Sequence, residues 1–447
     1  MHTRKRGRGA VTLSAGLALL LTATMAFAGA EGETAAPEEI KIPMLFREGG
    51  NDANTVMYRG FIDGFNEKYE GRYELDIEWV PGMAEEIRLK LKALNSARNL
   101  PAVVTNLAPE AAFAEALMRD GRLMDQKPYF DADPEWQKVV FPESVEFNTD
   151  AEGRMFTSPS TGAPYIGIYY NKEMFAEAGI AQFPTTWDEF FAACDALKAA
   201  GITPLSMHTT ETGWITNLLL TTYLGRTQEG RDFMDIRYPT DEFTSDIFVD
   251  AVRMVERLYE YTTADAIGGT YALAANHFSV SDTAMIANGP WMISSFSDTQ
   301  YSPEGFENKV GYGRFPNDLM ISNLGREYGR GVSMDHDLAV REGAVEWIKY
   351  LATRDNIAQQ AIALGHLTHL VPLNDEEKAA LGPVNLEYFN AVEGVKLTIP
   401  WFQAQWDPIN QGETIVSQLP ALLYGEITAE EYAAKLAESA KEYRKSL

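Results

Sequence analysis

Between Ile40 and Thr105 the hydrophobic period of the chain switches repeatedly, and that switching restricts the fold more than any other feature. Ile40-Lys41-Ile42-Pro43-Met44-Leu45-Phe46 alternates weakly and predicts a strand. Helical patterning follows from Thr55 to Tyr69, then a strand from Tyr73 to Val80, a helix from Met83 to Asn95 and an apolar strand from Ala102 to Thr105. Such β-α-β-α-β order implies parallel strand pairs covered by helices, and ligands of open sheets of this kind collect at the carboxyl ends of the strands. Those ends here are Arg47-Glu48-Gly49-Gly50-Asn51 and Asn106-Leu107-Ala108.

The alternation resumes with its own core. Tyr165 to Tyr170 and Ile202 to Ser206 read as strands, and Thr186-Trp187-Asp188-Glu189 opens a helix with a capping box. Further helices are expected from Trp214 to Leu224, Ser245 to Tyr261 and Arg341 to Ala363. A second capping box, Thr428-Ala429-Glu430-Glu431, precedes Tyr432, Leu436, Ala440 and Tyr443 at helical spacing. Two α/β lobes follow from this, and 447 residues suit two or three domains at about 100–200 residues each.

The start of the chain bears on compartment. Arg4, Lys5, Arg6 and Arg8 precede an apolar stretch from Val11 to Met25 and the small-x-small triplet Ala26-Phe27-Ala28. This is the pattern of a signal peptide over residues 1–28, cleaved near Ala28. Gly29 to Glu39 reads as an acidic leader, and Cys194 stands far downstream, so no lipidation Cys follows the cleavage site. Removing residues 1–28 leaves 34 basic against 64 acidic residues, a formal net charge of −30. Such a field disfavours nucleic acid and anionic membrane surfaces as partners.

Residues 162–206, GAPYIGIYYNKEMFAEAGIAQFPTTWDEFFAACDALKAAGITPLS, together with TAMIANGPW at 283–291, resemble the signatures of bacterial extracellular solute-binding proteins of the sugar-transport ABC class, the maltose-binding-protein-like group. LKALNSARNLPAVV at 91–104 and AVEWIKYLATRDNIAQQAIALGHL at 344–367 are similar in the same order. One departure is Pro101-Ala102, where the family has Pro-Asp. The resemblance implies an α/β, two-lobed periplasmic-binding-protein fold with three hinge crossings and an interlobe ligand cleft. The crossings would fall near Ser158–Gly162, Val310–Phe315 and Gly365–Thr368. One lobe would then comprise 29–160 with 316–366, the other 161–315 with 367–447. It further implies a monomeric periplasmic or extracellular receptor, without cofactor or metal, that binds carbohydrate and meets the permease subunits of an ABC importer.

Sugar recognition sets aromatic plates against the apolar face of a ring and planar polar groups against its hydroxyls. Trp291, fixed after the Gly289-Pro290 corner, matches the family position that stacks on a ring. Trp214, Trp401 and Trp406 are further aromatic candidates, although two tryptophans five apart cannot share one face of an ideal helix. Glu48, Asn51, Asn106, Glu211, Tyr165 and Asp335 are the remaining candidates, with carboxylates as double acceptors and Asn as both donor and acceptor. Two other readings stay open: a secreted glycan-processing enzyme, and a receptor for a charged solute such as a polyamine, amino acid or ferric ion. Against the first, the adjacent acidic pairs sit at helix starts, and no nucleophile elbow, Walker loop, His-Glu-x-x-His or Cys-x-x-Cys occurs. His366 and His369 form a spaced pair without a third ligand nearby in sequence.

Overall fold

Apolar residues at the first strand-like run are buried on both faces, which a strand tolerates only inside a covered sheet. The computed structural model describes residues 39–446 apart from 49, 51, 82–83 and 108–110, so the expected signal peptide and nearly all of the leader lie outside the described residues. Ten strands are present among them: β1 (Ile40–Glu48), β2 (Tyr73–Pro81), β3 (Val103–Val104), β4 (Gly167–Asn171), β5 (Thr203–Leu205), β6 (Thr283–Asn288), β7 (Val310–Gly313), β8 (Leu319–Ile321), β9 (Gly331–Val332) and β10 (Leu397–Ile399).

The first sheet runs β2-β1-β3-β9. β1 lies parallel to β2 from Ile40↔Tyr73 to Glu48↔Pro81, and parallel to β3 through Met44↔Val103, whereas β9 is antiparallel to β3. The helix Ala53–Lys68 covers it, started by the Asp52 carboxylate accepting from Thr55 N at 2.9 Å. Its Phe65 meets Trp347 edge-on at 5.4 Å, and Trp347 comes from the much later helix Leu338–Leu351. The expected helix from Arg341 to Ala363 is in fact two, Leu338–Leu351 and Arg354–Leu364, because Thr353 takes an extended backbone at φ −72°, ψ 150°.

The second sheet runs β5-β6-β4-β7, with β5 parallel to β6 and β4 antiparallel to both its neighbours. All six residues of β6 are buried. Thr186 and Glu189 form the capping box of the helix Trp187–Ala199, which carries the buried, unpaired Cys194. Thr428 and Glu431 bond reciprocally in the same way at 2.9 and 3.2 Å. The expected helix from Ser245 is Asp246–Leu258, continued by a 3₁₀ turn at Tyr259–Tyr261.

Isolated β-bridges tie together the segments that run between the two cores. Thr157 pairs with Gly331, Ile166 with Ile321, and Ala163 with Leu367. Val310–Phe315, expected as the middle crossing, is a correction: Val310, Tyr312 and Phe315 are buried in the second core. So are Leu319, Met320 and Ile321, because β8 pairs in parallel with β10 and is held there. The chain leaves that core only after Ile321 and enters the first sheet at Gly331, so the return to the first core begins later than residue 316. No described helix is long and apolar enough to cross a membrane.

Candidate functional site

Strand ends from the two sheets face one another across a cleft of about 580 Å³. One wall carries Phe46 at the end of β1, Trp79 at the end of β2 and Tyr58 on the helix Ala53–Lys68. Phe46 lies 4.8 Å from the Tyr58 ring and 5.9 Å from that of Trp79. The opposite wall carries Trp291 and Trp401, whose rings stack 5.8 Å apart and only 10° from parallel.

The Gly-Pro corner explains the pose of Trp291. Asn288 ends the buried strand β6 and accepts the Gly289 amide at 2.8 Å, while the Gly289 carbonyl accepts from the Tyr169 hydroxyl at 3.0 Å. A Cβ at Gly289 would lie 2.3 Å from the indole of Trp291, so only glycine lets the ring fold back there. Pro290 then starts a 3₁₀ turn. Trp291 remains 39% exposed, which leaves part of its ring open to the cleft.

The other expected residues divide. Trp401 lines the cleft, its amide donating to Asn323 Oδ1 at 2.7 Å and its indole Nε1 buried without a partner. Trp214 packs against both rings, at 6.0 Å from Trp291 and 6.2 Å from Trp401, without lining the cleft. Trp406 is a correction: it is 1% exposed and meets Phe402, Phe243 and Phe248 edge-on in the second core. Asn106 lines the cleft just beyond β3 with a left-handed backbone at φ 56°. Asn51 lies outside the described residues, and Glu48 closes β1.

Three expected residues have structural partners away from the cleft. Glu211 accepts the Tyr271 amide at 2.8 Å, capping the helix Tyr271–Ser279. Asp335 accepts from the Leu100 amide at 2.9 Å and from the Arg122 guanidinium at 2.5 Å. Tyr165 is held by its main chain, donating to the Tyr388 hydroxyl at 3.0 Å and accepting from that of Tyr312 at 2.9 Å.

The crossings supply further polar groups, of which the sequence had singled out only His366. Arg330 donates to the Tyr58 hydroxyl at 2.8 Å, and Glu327 and His366 line the same space. Burial, and secondarily the Arg330 charge, hold the His366 imidazole down to about 4, so it is neutral at pH 7. Its expected companion His369 packs instead 6.0 Å from the Phe141 ring. Trp79 was within reach, since the rule that ligands gather at strand ends applies to β2 as well as to β1 and β3. Glu327 and Arg330 carried no signal while the middle crossing was placed too early.

Residues 53–358 match the sequence profile of the bacterial extracellular solute-binding protein family, well over half of the chain. The chain belongs to this family. This solute-binding protein is 29% identical over 216 residues to the multiple sugar-binding protein of Streptococcus mutans, 45% of this chain and 48% of that one. It is 27% identical over 180 residues to the sn-glycerol-3-phosphate-binding periplasmic protein of Brucella abortus, 37% of this chain and 38% of the relative. The alignments thus span about half or less of these curated relatives. Among solved structures, a chitin oligosaccharide binding protein aligns over 90% of this chain and 98% of its own, with TM-score 0.72 and 22% identity. A Streptococcus pneumoniae solute-binding protein in complex with the blood group A-trisaccharide aligns over 91% and 100%, with TM-score 0.71 and 20% identity. These likenesses establish the two-lobed α/β fold of the solute-binding protein.

Proposed function

We propose that this chain is a non-catalytic, exported receptor that binds a sugar or oligosaccharide between its lobes and delivers it to the permease subunits of an ABC importer. The carrying observation is the cleft itself: a parallel tryptophan pair on one wall faces an aromatic shelf on the other, with polar groups of the crossings between them. Aromatic plates with few convergent polar groups suit a ring that has an apolar face and a hydroxylated edge. Trp291, Trp401 and Asn106 are the proposed ligand contacts from among the residues expected first, with Trp214 as a buttress. Residues 39–160 and 322–366 form one proposed lobe, and 161–321 with 367–446 the other. The name of the Streptococcus mutans relative and those of the two solved structures support a sugar, and membership of an extracellular family supports export.

A thermal-shift screen of mono- and oligosaccharides, followed by calorimetric titration of any hit, tests the proposal, because a ligand that binds only the folded state stabilises it. The expected result is stabilisation by at least one sugar, recovered unchanged after incubation. Cleavage of the sugar would replace the receptor with an enzyme, and stabilisation by amino acids or polyamines alone would replace the ligand class.

A further inference from the structure

Glu327 sits on the middle crossing and lines both the cleft and a small cavity behind it, bounded by Ile166, Ile321 and Trp401. Its carboxylate receives one long hydrogen bond, from Asn323 Nδ2 at 3.4 Å, and has no ion-pair partner among the described residues. Burial raises its pKa above the usual carboxylate range. A carboxylate offers about four acceptor sites, and this part-buried one uses a single long bond, which leaves the rest for a ligand's donors. Asp335, by contrast, has both a guanidinium and an amide. An unpaired acid retained in a cleft marks a site that something else completes.

The neighbours indicate what completes it. Asn323, which donates to Glu327, also holds the main chain of Trp401, so the acceptor and the aromatic plate are positioned by one side chain. Of the cleft's two arginines, Arg47 is ion-paired with Asp52 at 2.6 Å, and Arg330 donates to the neutral Tyr58 hydroxyl at 2.8 Å. We infer that Glu327 is a specificity-determining residue, accepting hydroxyl hydrogen bonds from an uncharged sugar seated on Trp401 and rejecting anionic ligands by like charge. This inference rests on the sugar-receptor reading. It separates the chain from its glycerol-phosphate-binding relative, whose named ligand carries negative charge.

Wild type and Glu327→Gln are compared by thermal melting and by titration with maltose, raffinose, chitotriose, blood group A-trisaccharide and sn-glycerol 3-phosphate. The expected result is that a neutral sugar stabilises wild type and sn-glycerol 3-phosphate does not. Glu327→Gln then binds that sugar roughly ten- to a hundredfold more weakly, as for a lost hydrogen bond to a charged group. Without ligand the variant melts at the same temperature or higher, because an uncompensated charge has been removed. Equal affinity in the variant overturns the inference and leaves the sugar reading intact, as does wild type binding both ligand classes. Early melting or failure to fold assigns Glu327 a structural role and also overturns it. Wild type stabilised by no sugar removes the sugar reading, and this inference with it.

Discussion

Trp291 and Trp406 show how one residue type serves opposite ends. Trp291→Ala is expected to abolish or strongly weaken sugar binding with a modest change in melting, since the residue is 39% exposed. Trp406→Ala should cost about 3–5 kcal/mol of stability, as large aromatic truncations in cores do. Titration beside a denaturant melt of each variant separates the two outcomes, and a normally binding Trp291→Ala would contradict the assignment. The five-residue spacing of Trp401 and Trp406 could not distinguish plate from plug, because Trp401 precedes its helix in an extended conformation, φ −70°, ψ 133°. Helical phase therefore did not apply to it. His208 supplies a second residue-scale test. It is fully buried, donates from Nδ1 to the Thr210 carbonyl at 2.9 Å, and burial lowers its pKa from 6.5 to about 4. The unfolded chain therefore takes up this proton at higher pH than the folded one does. Its contribution is complete above about pH 6.5 and is lost as pH falls toward 4. Melting temperature should drop across that window, with His366 acting in the same sense, and His208→Gln should shallow the drop.

The strand–helix alternation made both sheets legible, and the capping boxes at Thr186 and Thr428 placed two helix starts correctly. The middle crossing was illegible for a physical reason: β8 is three residues long, and its partner β10 lies far along the chain. Element contacts across the cleft rim were equally hidden. Glu115, on the helix Ala111–Arg119, whose Ala114 and Leu117 cluster with Leu45 and Val104 of the first sheet, accepts from the Arg237 guanidinium and from the hydroxyls of Tyr328 at 3.1 Å and Tyr238 at 3.4 Å. Tyr238 reaches it from a left-handed backbone, φ 55°, fixed by its amide donating to the Gln405 carbonyl at 2.6 Å. Arg237 and Glu115 are each about one-third exposed, so their pairing contributes about 1 kcal/mol or less. That still shifts an open–closed equilibrium by up to about fivefold. Glu115→Gln should raise the radius of gyration of the ligand-free protein in small-angle scattering, and high salt should do the same to wild type. An unchanged radius in both would show that the rim contact does not govern closure.

At the scale of the molecule, each core is assembled from separated stretches. Val332, Ala344, Val345, Trp347, Ile348, Leu351 and Ala352 complete a first core whose other members lie between Ile42 and Met155. A fragment of residues 39–160 is therefore expected to stay unfolded by circular dichroism and amide exchange, despite containing three of the four strands of its sheet. Addition of the segment from Ile321 to Leu364 should restore protection.

The lateness of Trp347 has a consequence in time. A polypeptide made from its amino end cannot close this first core until most of its length exists. Through that interval the leading part lacks the residues that complete its core. The proposed export would use that delay, because a translocation pore admits an unfolded chain and excludes a folded body.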